Sequence, residues 1–344
     1  MRDAVPARAR RPDRVASISI FVDSIKKTLS MKSHSEVMQG LKKHHDVIRD
    51  MLKGRRFHYV DIPVHDNIGD LLIMLGTIRF FSDNGLSPAT VSNTYYFDPK
   101  WVKPGDVIVF HGGGNFGDLY GNIHTLREKV IAAFPQNRIV LMPQTLFFSS
   151  PETSAASAAI ISQHPDLHLF VRDVVSEKLA HEFTDKVYLV PDMAHQLYPI
   201  RYQQGAATGN VRIQRVDVEK PKTPESLASL PIRTTTDWVE VIGEEYKLKT
   251  LFAKLEWRFK RYGWDYALTK LALWYWVPVS RRFMNKAVRL FADHETIVTD
   301  RLHGHILSCL MDKKNIVIDN SYGKNSTYMN QWTIESPLTT LVKE

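Results

Sequence analysis

The stretch Glu295–Lys324, ETIVTDRLHGHILSCLMDKKNIVIDNSYGK, reads as a strand, a charged turn, a helix, a second strand and a glycine turn. Ile297 and Val298 form a short β-branched run. Thr299 and Asp300 are both suited to cap a helix. Arg301, Leu302 and His303 then fall in the first helical turn, and Ile306, Leu307 and Leu310 supply an apolar face. Ile316–Ile318 is the next strand. Ligands of open α/β sheets sit at the carboxyl ends of strands. A helix start at that position offers free N–H groups and the positive end of the helix dipole, which favour an anion as Arg301 does. Arg301 is the candidate grip for such an anion and His303 the candidate general acid. The alternative is that His303 packs inward and Arg301 pairs with Asp300 or Asp319. His305 faces elsewhere on the helix and is expected to be non-catalytic, and Cys309 is expected to be buried.

The same alternation extends back through the chain. Arg56–Val64 reads as a first strand, followed by the loop HDNIGD. Leu71–Phe81 reads as a helix and Ala89–Thr94 as a strand. Asp106–Phe110 is a strand ending in HGGGNFGD, and Asn122–Phe134 is a helix. Arg138–Met142 is a strand ending in PQT, and Ser154–His164 is a helix. Leu167–Val171 ends in Arg172-Asp173, Ser176–Phe183 is a helix, and Val187–Val190 ends in PDMA. Strand–loop–helix repetition implies a parallel, Rossmann-like sheet covered on both faces. The polar and glycine motifs fall in the loops after the strands.

Length fits two domains of ordinary size: 344 residues, 44% hydrophobic and 24% charged, as in a soluble globular protein. The expected organisation is a basic tail with N-terminal helices over 1–56, a Rossmann-like domain over 57–190 and a second over 191–335. The second carries an unusual helical segment, 246–283. Trp257, Trp264, Trp274 and Trp276 lie there among tyrosines, lysines and arginines. It reads either as a packed helical subdomain with a solvated basic face or as a surface that docks on an anionic membrane.

The single cysteine excludes an internal disulfide and a Cys-based metal cluster, and fits a cytoplasmic, reducing location. A net charge of +8 favours anionic partners. No nucleic-acid-binding signature is present, so no nucleic-acid partner is expected. No apolar run reaches the 18 residues of a membrane span, and the basic N-terminus lacks the apolar core of a secretory signal.

Each remaining motif allows a functional and a structural reading. Gly113, Gly114 and Asn115 let backbone N–H groups approach an anion, or form a tight turn. Asn67 and Asp70 cap the next helix or bind sugar hydroxyls. Arg172 offers a second cationic contact, or a surface salt bridge. Lys324 holds a phosphate, or is an ordinary surface lysine. Asp118 is a further candidate base, and Asp192 serves as a base, orients a neighbour or caps.

Taken in order, NIGD at 67–70, GGGNFGD at 112–118, PQT at 143–145, RD..S at 172–176, PD at 191–192, TDRLHG at 299–304 and DNSYGK at 319–324 resemble the polysaccharide pyruvyl transferase family, chiefly the bacterial exopolysaccharide ketal-pyruvate transferases. The resemblance covers roughly residues 57–330. It implies two Rossmann-like domains arranged as in GT-B glycosyltransferases, with the active site in the cleft. It implies phosphoenolpyruvate as donor, a glycan acceptor that is commonly lipid-linked, and a cyclic pyruvate ketal as product. The Arg-Leu-His motif of the donor site maps to Arg301, Leu302 and His303. Arg172 and Lys324 would help hold the donor, and Asp70, Asp118 or Asp192 would serve as base. No cofactor or metal is expected, since arginine can neutralise the donor's charge. The alternative activity on the same fold is a nucleotide-sugar glycosyltransferase. The segment 246–283 matches no motif of the family.

Overall fold

The computed structural model describes residues 32–203, 205–215, 227, 230–319 and 323–342. The basic tail, most of the Pro/Ser/Thr-rich run before residue 230, and Asn320–Tyr322 lie outside the described residues.

The chain opens with α1 (His34–Lys43) and α2 (Asp46–Leu52). A capping box between Ser33 and Glu36 starts α1. There follow β1 (Phe57–Val60), α3 (Ile68–Asp83), β2 (Thr90–Val91), β3 (Val107–Phe110), β4 (Gly113–Gly117), α4 (Gly121–Ala133), β5 (Arg138–Phe147), α5 (Pro151–Ile161), β6 (Leu167–Val171), α6 (Val174–Ala180) and β7 (Val187–Leu189). These strands form one sheet in the order β2-β1-β3-β5-β6-β7, with β4 beside β5, and every described pairing is parallel. β3 and β6 are buried along their whole length, as strands covered on both faces must be.

A second parallel sheet, in the order β12-β11-β10-β8-β9, contains β8 (Asn210–Ile213), β9 (Ile232–Thr236), β10 (Thr296–Thr299), β11 (Lys314–Ile318) and β12 (Thr339–Val342). Between β9 and β10 lie α7 (Trp238–Ile242), α8 (Lys247–Arg261), α9 (Asp265–Leu271), a π-helical turn (Ala272–Trp276) and α10 (Val277–Ala292). α11 (Leu302–Leu310) links β10 to β11, and α12 (Lys324–Trp332) links β11 to β12.

Four strands depart from the sequence expectation. β4 is made from the glycine motif itself, and β5 runs on through PQT to Phe147 to pair with it. β9 and β12 are threonine-rich and lack the apolar runs that mark the other strands. Glycine makes β4 fit: a Cβ on Gly117 would fall 1.7 Å from the Phe147 carbonyl oxygen. α3 is apolar on nearly all sides and is buried accordingly. At Gly76 it presses against the 3₁₀ turn Met193–Leu197, where a Cβ would lie 2.1 Å from the Met193 carbonyl oxygen.

Candidate functional site

The start of α11 is set one residue later than its sequence suggests. Arg301 is the N-cap residue, in extended conformation, and makes no side-chain cap bond. Thr299 accepts the Arg301 N–H at 3.0 Å instead, and Asp300 accepts the N–H of Arg215 at 2.9 Å. Gly304 is required beside Thr299, because a Cβ there would meet the Thr299 hydroxyl at 2.4 Å. The Arg301 side chain therefore leaves the helix at its mouth, and His303 lies in the first turn.

Among the described residues the carboxylate that holds Arg301 is Asp237, which the sequence reading did not name. The guanidinium forms a two-pronged bond with Asp237, Nε to Oδ1 and Nη2 to Oδ2, both 2.5 Å. Asp237 is buried and at the same time caps α7 by accepting the Trp238 N–H at 2.7 Å. A planar fork held on one edge by a carboxylate is fixed in orientation, and so are its outward donors.

His303 Nε2 lies 3.4 Å from Asp192 Oδ2, a long ionic contact. That nitrogen is buried and makes no hydrogen bond. The other face of the ring rests on the first turn of α3: a Cβ on Gly69 would sit 2.7 Å from His303 Nδ1. Gly69 is therefore the seat of the imidazole. Asn67 caps the same turn through the Gly69 N–H at 3.0 Å and donates to Asp70 Oδ2 at 3.0 Å.

Asp192 follows the reading in which it orients its neighbours and caps a turn. It is fully buried and bonds Arg172 Nη1 at 2.5 Å and the Ala194 N–H at 2.8 Å. Burial alone would raise its pKa, but His303, the Arg172 charge and the Ala194 N–H outweigh it and hold the carboxyl well below the usual range. A carboxylate so committed orients His303 and Arg172. Arg172 is accordingly no surface salt bridge: it is buried, its Nε donates to Thr145 at 2.8 Å, and its Nη2 faces Gly114.

Asp118, expected as a candidate base, lies elsewhere. Both its oxygens accept the Ser149 N–H at 2.9 Å, it also accepts a hydrogen bond from the Ser149 hydroxyl, and it stands outside the pocket lining. Gly113 lies behind the lining, against Ile73 and Asp70, with a φ of 120° that favours glycine. Beneath this motif a buried ion pair, Asp61 with Arg127, holds the backbone of His111, together with Gln144 of PQT.

What remains converges on one cavity of about 130 Å³. Asn67, Asp70 and Arg172 reach it from beyond strand ends of the first sheet, and Gly114 and Asn115 from β4 itself. Arg301, His303 and Lys324 reach it from strand ends of the second. Thr145, the last residue of the PQT motif, also lines it, as do Arg215 and Trp238, neither of which was marked from the sequence. Asp237 had a signal, an N-cap residue before an apolar run, but nothing local marks an N-cap as the partner of an arginine 64 residues away. Three arginines, a lysine and a histidine share this small lining with the carboxylates of Asp70 and Asp173, an arrangement that can hold a compact anion. His305, as expected, takes no part: it is buried between Asn315 and Thr333, and burial lowers its pKa to about 4.

Comparison with known proteins agrees with the motifs. The profile of the family Polysaccharide pyruvyl transferase matches residues 67–322. The chain is 35% identical over 289 residues to the protein named "Putative pyruvyl transferase EpsO" of Bacillus subtilis, covering 83% of this chain and 88% of the relative. It is 29% identical over 243 residues to Pyruvyl transferase 1 of Schizosaccharomyces pombe, covering 65% of this chain and 54% of that protein. Among solved structures, an uncharacterised protein from Klebsiella pneumoniae shares the fold, with a TM-score of 0.57 at 18% identity, over 88% of this chain and 99% of that one. The chain belongs to the polysaccharide pyruvyl transferase family.

Proposed function

We propose that the cavity binds phosphoenolpyruvate, and that the enzyme transfers its enolpyruvyl carbons to two hydroxyls of a glycan, forming a cyclic ketal and releasing phosphate. The observation that carries this reading is the convergence of Arg172, Arg215, Arg301 and Lys324 on a small cavity that also holds His303. The donor bears a phosphate and a carboxylate, and cations held on fixed elements bind both without reorganisation. The two sheets then correspond to the Rossmann-like halves of a GT-B-like arrangement, 57–190 and 191–335, with the cavity as the cleft between them.

In this mechanism a proton from the imidazolium of His303 adds to the vinyl carbon and leaves an oxocarbenium-like centre at C2. A sugar hydroxyl attacks C2 and loses its proton to a base. The C2–O bond to phosphate breaks, with the departing charge taken up by the arginines. A second hydroxyl closes the ring and gives its proton to His303, which restores the imidazolium, and the proton held by the base leaves with the phosphate. Because Nε2 of His303 is turned to Asp192, the proton is delivered from Nδ1, the nitrogen at Gly69. Among the carboxylates considered, Asp70 is the one that lines the cavity and keeps an oxygen beside the glycine motif. We assign it the base role. The acceptor is a saccharide carried on a lipid.

The test is release of inorganic phosphate from phosphoenolpyruvate by the purified full chain, with an oligosaccharide acceptor and mass spectrometry of the product. Acceptor-dependent phosphate and a ketal-bearing glycan are expected. Turnover of a nucleotide sugar with none of phosphoenolpyruvate would overturn the reading in favour of glycosyl transfer.

A further inference from the structure

The segment that the family motifs leave unread, α8 to α10, separates into two faces. One is packed. Phe252 is buried and stacks on Tyr275 and Trp276. Trp276 is 0% exposed and donates its Nε1 proton to the Pro63 carbonyl at 2.7 Å. Glu256 is buried and accepts from Asn93 Nδ2 at 2.8 and 2.9 Å, and Lys249 lies 3.2 Å from Asp66. Pro63, Asp66 and Asn93 all follow β1 or β2, so the hairpin of α8 and α9 is seated on the carboxyl edge of the first sheet. Asn67 and Asp70 enter the cavity from that same edge.

The other face is unlike ordinary protein surface. Trp257 is 59% exposed, Tyr262 63%, Trp264 61% and Trp274 76%. Tyr262 and Trp264 form the turn between the helices, around Gly263 with its φ of 72°. Along α8 the buried positions Phe252 and Glu256 are four residues apart. At 3.6 residues per turn this leaves Lys254, Trp257, Arg258 and Arg261 on the outward side. Arg261 lies over the Trp257 ring at 5.4 Å.

Residues 247–282 contain nine basic and two acidic residues, so nearly all of the chain's net charge of +8 sits here. One of the two acids, Glu256, is turned inward. Among the described residues no helix is long and apolar enough to cross a membrane. Surface tryptophans interleaved with lysine and arginine on a short helical hairpin match the headgroup layer of a bilayer, where amphipathic rings settle and cations meet lipid phosphates.

We propose that the α8–α9 hairpin and the π-helical turn after it dock the enzyme on an anionic phospholipid surface, with Trp257, Tyr262, Trp264 and Trp274 entering the headgroup layer and Lys254, Arg258 and Arg261 neutralising lipid phosphates. Docking there brings the carboxyl edge of the first sheet, and with it the mouth of the cavity, towards the membrane where a lipid-borne saccharide is presented. The inference stands on the surface and does not depend on the donor's identity.

The test is cosedimentation of the full chain with vesicles of phosphatidylcholine alone and of phosphatidylcholine with phosphatidylglycerol, as a function of salt. The wild type is expected to bind only the anionic vesicles and to be released as salt rises. The pair Trp264→Ser with Trp274→Ser, and separately Lys254→Glu with Arg258→Glu, should each weaken binding roughly tenfold or more. Thermal midpoint and phosphate release with a soluble acceptor should stay at wild-type level, since these side chains point to solvent. Absence of wild-type binding, or full binding by both variants, would overturn the proposal. So would sedimentation velocity showing a wild-type dimer that the tryptophan variant dissolves, because the face would then be a protein interface.

Discussion

Two basic regions of this molecule handle their charge in opposite ways. Around the cavity the arginines are partly buried and tied to carboxylates, Arg172 to Asp192 and Arg301 to Asp237. On the hairpin, Lys254, Arg258 and Arg261 are exposed and the available glutamate is turned inward. The difference follows from where water is. A guanidinium taken out of water needs a partner to offset desolvation, and the partner also fixes its geometry for chemistry. A cation left in water needs none, and a diffuse surface charge suits a partner without fixed shape.

The sharpest way to break the comparison is at the cavity. His303→Ala should lower phosphate release by roughly 10²–10⁴-fold with an unchanged thermal midpoint, because a positioned proton donor is lost and little packing goes with it. Near-wild-type turnover would remove the residue from the mechanism. Gly69→Ala tests positioning without touching a reacting group. The added methyl would stand 2.7 Å from His303 Nδ1, so the ring must move, and kcat should fall by about 10²-fold while the fold persists. A crystal structure of this variant with the ring undisplaced would contradict the account.

Asp237→Ala releases the fork of Arg301. The KM for the donor should rise by roughly 10- to 100-fold, the scale of a lost charge-assisted pair, and Asp237→Asn should recover part of the loss by keeping the helix cap. If Asp237 only capped α7, the asparagine variant would be fully active.

The smallest effect belongs to the hairpin's seat. Burial raises the Glu256 pKa to about 8, against the hydrogen bond from Asn93 that lowers it. The folded state then holds a proton that the unfolded chain releases near its ordinary value of 4.5. Stability from this group is full at low pH and is lost as pH rises towards about 8. Glu256→Gln keeps an oxygen for Asn93 and carries no charge. It should raise the thermal midpoint by about 2 °C or more at pH 9 and by less at pH 6. Equal shifts at the two pH values would show that the carboxyl does not titrate there.

The parallel α/β class was legible because β3, β5 and β6 are continuous apolar runs followed by glycine or polar loops, and burial on both faces demands that pattern. β4, β9 and β12 were not legible, since GGNFG, IRTTT and TTLV carry no such run and are strands only because a neighbour supplies their hydrogen bonds. The same division holds at the site. Arg172, Arg301, His303 and Lys324 could be marked from their places after strands. The role of Asp118, and the choice between the readings of Asp192, could not, because an aspartate after a strand looks alike whether it faces a cavity, an arginine or a serine.

By itself the sequence determined which residue types stand at the strand ends, the concentration of charge on residues 247–282, and the family. Only the tertiary structure decided which carboxylate each arginine meets, that the imidazole rests on Gly69, and which tryptophans of segment 246–283 are buried. Periodicity along a chain encodes the faces of single elements. Pairings between residues tens of positions apart are settled by packing, when whole elements dock and each buried charge must find its counterpart.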